Sequence, residues 1–381
     1  MKTMLIAAAA AAALLPLAAR AQTLADLASY KAVSDGGVGN FVATPDVVGQ
    51  TSTATVAGGG NPIYLATQPK YSGVVALIMD EGAAGKFICS GALLSDRRSI
   101  LTAGHCVSGG AGTANPISTT AYFWDQSSDI VVPQNPIATA VSVSNYYVDG
   151  LYTGQVIDQN DIAVLRLADA APAFATAYDV YTGDLQGQEY NIAGYGLRSD
   201  TGGSVGATPA VTGTGRLRQG DNTYQFAFGD PDFGGFWDGF FGTADVSNVW
   251  VSDFDNGLAA NDTSCKIAAA LGLSGVKYCD TGVGALEVST APGDSGGPEF
   301  INGQIASVTS FGLSFGTGFG DVDGKLNDSF GEFNGFVPTA IHQDLIAHAM
   351  AAPEPGTWAM LIMGFGSIGL AMRRRRSVAT A

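Results

Sequence analysis

The 381-residue chain carries 18 basic and 34 acidic residues, a formal −16. Setting aside the charged residues of its two ends (Lys2, Arg20, Glu354 and Arg373 to Arg376) leaves 12 basic against 33 acidic, or −21. So acidic a body is repelled by nucleic acid and by anionic lipid, which excludes both as partners. Glycine, at 52 of 381, is about twice the usual ~7% and implies many turns and short strands rather than long helices.

Residues 1–21 read as a secretory signal peptide: Lys2, an apolar run from Leu5 to Leu17, then Ala19-Arg20-Ala21 as a small-x-small cleavage site. Export permits disulfides, which suits the four cysteines. Residues 22–65 are rich in Gly, Ser, Thr and Ala and read as a leader or linker that packs poorly alone, or a propeptide. From Tyr71 the pattern changes. Val74 to Met79, Ser99 to Thr102, Ile162 to Leu167 and Ile305 to Val308 look like buried strands, and short strands between Gly/Asn/Asp turns argue for an all-β body.

Three blocks carry chemistry. Leu101-Thr102-Ala103-Gly104-His105-Cys106 is an apolar approach ending in a histidine, one of only three in the chain with His342 and His348. Asn160-Asp161 heads the apolar strand to Leu167, which suits a carboxylate buried enough to orient an imidazole. Gly293-Asp294-Ser295-Gly296-Gly297-Pro298 places a serine hydroxyl between glycines, and a serine needs such a base to lose its proton at neutral pH.

In this order the blocks resemble the chymotrypsin/trypsin-like serine endopeptidases, over about residues 66–350. The resemblance implies two six-stranded antiparallel β-barrels with the site between them, a boundary near residue 175, and a closing C-terminal helix from about Val337 to Met350 with His342 and His348 on its surface. It implies His105 as base, Asp161 as orienting carboxylate, Ser295 as nucleophile, and the backbone N–H groups of Gly293 and Ser295 as oxyanion hole. Ser289, six residues before the serine, Ser310-Phe311-Gly312 and Gly335 then form the substrate pocket. An uncharged, open pocket favours apolar or aromatic residues before the scissile bond of a protein or peptide substrate. Of the three pairings that four cysteines allow, the family's bridges correspond to Cys89 with Cys106 and Cys265 with Cys279. Ala291 stands where the family often has a further cysteine.

Many relatives begin at a new Ile/Val terminus whose ammonium pairs with the aspartate before the serine, here Asp294. Val47-Val48-Gly49-Gln50 after Asp46 is a partial match. Two other functions share the motif. The hexapeptide satisfies G-x-S-x-G, the α/β-hydrolase elbow, with Asp321 or Asp328 and His342 to follow, but no helix follows Ser295 directly. A catalytically silent binding protein on a protease scaffold is the other.

No cofactor or metal is expected. The cysteines offer no C-x-x-C pair. Asp253-Phe254-Asp255-Asn256-Gly257 has the acidic spacing of a calcium loop but lacks the Glu at the twelfth position, and reads as a solvated turn. The aromatic, Gly- and Asp-rich stretches Tyr224 to Phe241 and Gly312 to Phe333 read as long surface loops. At the carboxyl end, Pro353-Glu354-Pro355, an apolar run from Thr357 to Met372 and four arginines resemble the PEP-CTERM sorting signal of Gram-negative bacteria, spanning 353–376. That resemblance implies recognition by an exosortase-type enzyme and display at the cell surface or in the extracellular matrix. The run reaches only ~24 Å against a ~30 Å hydrocarbon core. It is read as a transmembrane helix over 357–372 giving transient anchoring in the inner membrane.

Overall fold

The computed structural model describes residues 47–351 except 111–114, 156, 274, 276 and 291. The signal peptide at 1–21 and the sorting segment at 353–376 lie outside the described residues.

Six strands close a barrel in the order β2-β3-β4-β7-β6-β5. They are β2 (Val74–Asp80), β3 (Lys86–Leu93), β4 (Ser99–Thr102), β5 (Ser118–Phe123), β6 (Thr139–Val148) and β7 (Ala163–Leu167). β1 (Val48–Gly49) lies outside it. The near-continuous apolar run of β2 is explained by its two buried faces. Val75, Leu77 and Met79 fill the barrel with Leu93, Ile100, Phe123 and Leu165. Val74 and Ala76 turn the other way, onto a core shared with Phe300, Val308, Val337 and Ile346 of the chain's second half. The two-residue period of a strand thus divides one sequence run between two cores, each buried Val, Leu or Ile contributing about 1.5–3 kcal/mol.

The second half is built on β8 (Glu189–Gly194), β9 (Arg218–Thr223), β10 (Phe226–Ala227), β11 (Trp250–Asp253), β13 (Pro298–Ile301), β14 (Gln304–Leu313) and β15 (Phe333–Pro338). They form one seven-stranded sheet, β10-β11-β15-β14-β13-β8-β9. The expected second six-stranded barrel is therefore corrected: the sheet is open, with β10 and β9 as its edges. β12 (Val288–Ser289) pairs instead with β1, Val48 opposite Ser289. Val47 and Val48 are buried, so the packed body already includes the end of the stretch read as leader.

The stretches read as surface loops are not loops on a surface. Phe226, Phe228, Phe233, Trp237, Phe240, Phe315 and Phe319 form a buried aromatic core of their own beneath the sheet. Trp237 stacks on Phe241 with ring centroids 5.8 Å apart. Short helices follow: α1 (Pro209–Thr212), α2 (Thr263–Ala270), capped by the Asp262 side chain, and α3 (Gln343–Ala351). The closing helix starts later than expected because β15 runs on to Pro338 and a 3-10 turn covers Thr339–His342.

The transmembrane helix expected over 357–372 also requires correction. No helix among the described residues is long and apolar enough to cross a membrane, and 357–372 lies outside them.

Candidate active site

His105 sits in a 3-10 turn, Gly104–Cys106, just past β4. β4 pairs with β7 so that Thr102 faces Ala163, and the residues beyond those two strand ends, His105 and Asp161, come side by side. The His105 N–H donates to Asp161 Oδ1 at 2.7 Å, and ring Nδ1 lies 2.7 Å from Oδ2. Asp161 is fully buried, and Ser310 Oγ donates to its Oδ2 at 2.5 Å. On the other side of the ring, Nε2 lies 2.8 Å from Ser295 Oγ.

The serine reaches this point because its turn docks directly on the first barrel. A Cβ at Gly296 would fall 1.9 Å from Thr102 Oγ1 and 2.5 Å from the Ala103 nitrogen, so only glycine allows the approach. Ser90 of β3 holds the turn at both ends. Its N–H donates to the Ser295 carbonyl at 2.8 Å and its hydroxyl to the Gly293 carbonyl at 2.9 Å. Gly293 has φ 111°, and neither its N–H nor that of Ser295 bonds to any of the described residues. Two donors are thus left available beside the serine hydroxyl.

Cys89 and Cys106 are bridged at 2.09 Å beside the histidine, and Cys265 and Cys279 at 2.02 Å. A cleft of about 500 Å3 opens over His105, Ser295 and Gly293, walled by the Cys89–Cys106 bridge, Phe87, Ile88, Leu197 and Pro292, with Glu81 and Lys86 among its lining.

The five residues assigned to the substrate pocket do not line that cleft. Ser310 is engaged with Asp161. Ser289 is buried and donates to Asn334 Oδ1 at 2.8 Å. The Phe311 ring, 1% exposed, fills the space beside Gly335, where a Cβ would fall 2.1 Å from its Cζ. A Cβ at Gly312 would come 3.5 Å from Asp328 Oδ1. Burial and the neighbouring Glu332 hold the Asp328 carboxyl well above the usual carboxylate range.

His342 is not a surface residue. It is buried, with Nδ1 3.0 Å from Asp149 Oδ2 and Nε2 2.8 Å from the Gln159 carbonyl, and is thereby occupied away from Ser295. His348 is exposed against the edge of Tyr147. Asp294 is fully buried. Its Oδ1 accepts from the Gly196 N–H at 3.0 Å, while Oδ2 has no partner among the described residues. Desolvation pushes its carboxyl up to about 7, against the smaller opposing effect of the Gly196 hydrogen bond. Sequence reasoning missed Ser90, which nothing marks beyond its place next to Cys89, and placed Ser310 in the pocket rather than against Asp161.

Comparison with known proteins gives two matches. Residues 47–226 match the trypsin family and residues 351–376 the PEP-CTERM protein-sorting motif. No curated protein matches the chain. The trypsin match includes His105 and Asp161 but stops before Ser295, in the half where the long aromatic and acidic insertions lie. The sorting motif implies processing by an exosortase-type system and supports export to the surface of a Gram-negative-type cell. The transient inner-membrane anchor is not retained, for want of any membrane-spanning helix among the described residues. The chain is a serine-type endopeptidase, with a trypsin-family protease domain and a C-terminal PEP-CTERM sorting motif.

Proposed function

We propose that Ser295, His105 and Asp161 act as nucleophile, base and orienting carboxylate in peptide-bond hydrolysis through an acyl-enzyme. The observation that carries this is the unbroken run of short contacts from Ser310 through Asp161 and His105 to Ser295, all at 2.5–2.8 Å. His105 Nε2 takes the hydroxyl proton as Ser295 Oγ attacks the carbonyl carbon, then returns it to the departing amine. A water attacks the ester in the second half-reaction with the same proton route reversed. Asp161 stabilises the imidazolium at each stage, and the N–H groups of Gly293 and Ser295 take the developing oxyanion, each such donor contributing about 3 kcal/mol.

For the residue before the scissile bond we propose an apolar or aromatic preference. Ser289, Gly312 and Gly335 bring no charge, and burial raises the carboxyl of Asp328 beside Gly312 well above its ordinary range, favouring its uncharged form. Such a side chain would displace the Phe311 ring from its place against Gly335.

The test is hydrolysis of casein and a peptide panel by the wild-type chain and by Ser295→Ala, together with labelling by a fluorophosphonate. Labelling at Ser295 and loss of turnover in the variant are expected. Equal activity of the two proteins, or an unlabelled Ser295, overturns the mechanism and favours the silent binding scaffold. Faster cleavage after Arg than after Phe overturns the preference alone.

A further inference from the structure

The insertion between β11 and β12 gathers three carboxylates at one point. Asp253, at the end of β11, Asp255 just beyond it, and Asp262, the cap of α2, are all buried, and each offers an oxygen within 4.8 Å of the others. That is the widest spacing of two oxygens each ~2.4 Å from one ion. Asp255 is 0% exposed and neither of its carboxylate oxygens has a hydrogen-bond partner among the described residues; Asp253 Oδ1 has none either. The other two contacts are fixed by the helix start: Asp253 Oδ2 accepts the Ser264 N–H and Asp262 Oδ1 the Cys265 N–H, each at 2.8 Å. A fully buried carboxylate with no partner, aimed at two others, is among the most costly arrangements a protein interior can hold unless an opposite charge sits between them.

The chain's other acidic and thiol groupings differ on this point. In the trio Asp321, Asp323 and Glu332, backbone donors occupy the buried members: Asp321 Oδ1 accepts from Asp323 and Gly324, and Glu332 from Asn327, Asp328 and Ser329. The two groupings that contain cysteine have their sulfurs tied in disulfides. Among the described residues, only the first trio combines burial with vacant lone pairs.

We infer that Asp253, Asp255 and Asp262 hold one divalent cation of the calcium class. The donors are all hard carboxylate oxygens, with no imidazole or free thiolate, which disfavours zinc and copper. An irregular site of buried protein oxygens suits calcium, which accepts six to eight ligands, better than magnesium, which demands a strict octahedron and keeps its waters. Of the stretch read from the sequence as a solvated turn, Asp253 to Gly257, Asp253 ends β11 and Asp253 to Asp255 are buried, while Gly257 is exposed. The ion braces the edge of the candidate active site. Asp255 N–H donates to Glu287 Oε1 at 3.2 Å, Gln50 bonds both the Asp255 and Glu287 carbonyls, and Glu287 leads directly into the β12 strand that carries Ser289.

The experiment is metal analysis of the full chain, stripped with EGTA and dialysed against micromolar to millimolar CaCl2, beside Asp255→Asn, Asp262→Asn and Asp321→Asn. One calcium per chain is expected in the wild type and in Asp321→Asn, with affinity at least tenfold weaker in the other two. Saturating calcium should raise Tm by about 5 °C in the wild type and hardly at all in Asp255→Asn. Asp262→Asn keeps a good helix cap, so it carries the test if Asp255→Asn fails to fold. No bound calcium, calcium retained in Asp255→Asn or Asp262→Asn, binding lost with Asp321, or displacement by equimolar magnesium would each overturn the assignment.

Discussion

The two halves of the molecule hold the proposed catalytic groups, His105 with Asp161 in one and Ser295 in the other, by different means. The closed barrel is dry and regular: among its buried residues the carboxylates are Asp158 and Asp161 alone. The open sheet and its insertions bury nine: Asp253, Asp255, Asp262, Glu287, Asp294, Glu299, Asp321, Asp328 and Glu332. The half that presents His105 and Asp161 is thus stabilised by apolar packing. The half that presents the serine buries many carboxyls, several with oxygens that have no partner among the described residues, beside an aromatic knot. Disturbing the first should change geometry locally, whereas the second should respond to pH, cations and large-to-small substitutions.

The largest effect should come from cutting the contact between the halves. Ser295→Ala is expected to lower kcat roughly 10^4- to 10^6-fold with KM little changed, measured on a peptide substrate under saturating conditions. His105→Ala should match it, and the double variant should lose no more than either alone, because the two act as a unit. His342→Ala should leave activity within about twofold while costing about 1–3 kcal/mol of stability, since Asp149 and the Gln159 carbonyl lose their partner. Activity that vanished only with His342 would break the assignment and revive the α/β-hydrolase order.

Next in size is the aromatic knot. Trp237→Ala should destabilise by about 3–5 kcal/mol, read by urea denaturation, because Phe228, Phe233 and Phe240 pack around that buried ring. A change within about 0.5 kcal/mol would return the stretch to the surface loop that its composition resembles.

That contrast also explains what was legible in the chain. The strands of the barrel show as apolar runs, and the base and its carboxylate stand at strand ends that one register brings together, Thr102 against Ala163. The serine shows through its glycines. The knot does not show: Phe226, Phe233, Trp237 and Phe240 are spaced seven, four and three apart, as on one helix face, but Gly and Asp between them give the composition of loops, and the stretch folds as turns and a short 3-10 turn rather than an α-helix. The second barrel was expected from the family likeness, and the chain departs from it where β12 leaves the sheet to pair with β1. Nor can local spacing reveal that Asp253, Asp255 and Asp262 are buried, since their burial is a property of the insertion folded over them.

A third prediction concerns Asp294. Its carboxyl, ordinarily near 3.8, stands at about 7 in the folded chain. The folded state therefore binds the proton more tightly than the unfolded one. The stability this group contributes is fully present below about pH 4 and is lost as pH rises through about 7, a loss of a few kcal/mol. Urea unfolding between pH 4 and pH 8 should show that decline, and Asp294→Asn should flatten it. Release of the chain at Asp46–Val47 would create an ammonium at the start of the buried segment leading into β1, and should flatten or reverse the same slope by favouring the carboxylate. If the slope is the same in the Asn variant, another of the buried carboxyls, such as Glu299 at about 8, is the source.

The smallest effect is the most discriminating about Ser310, which the family likeness places in the pocket and the geometry places on Asp161. Ser310→Ala removes one of three donors to that carboxylate, leaving the His105 N–H and Nδ1. A hydrogen bond to a charged acceptor contributes about 1.5–3 kcal/mol, so a loss of roughly ten- to hundredfold in kcat is expected. If Ser310 acts through Asp161, the loss is equal for every substrate, with KM unchanged, because the imidazolium is less well stabilised whatever is being cleaved. Were it a wall of the pocket, KM would change instead, and by different factors for Phe, Leu and Ala before the scissile bond. The serine half would then be shaping substrate choice at a point where the present geometry has it supporting the barrel's own aspartate.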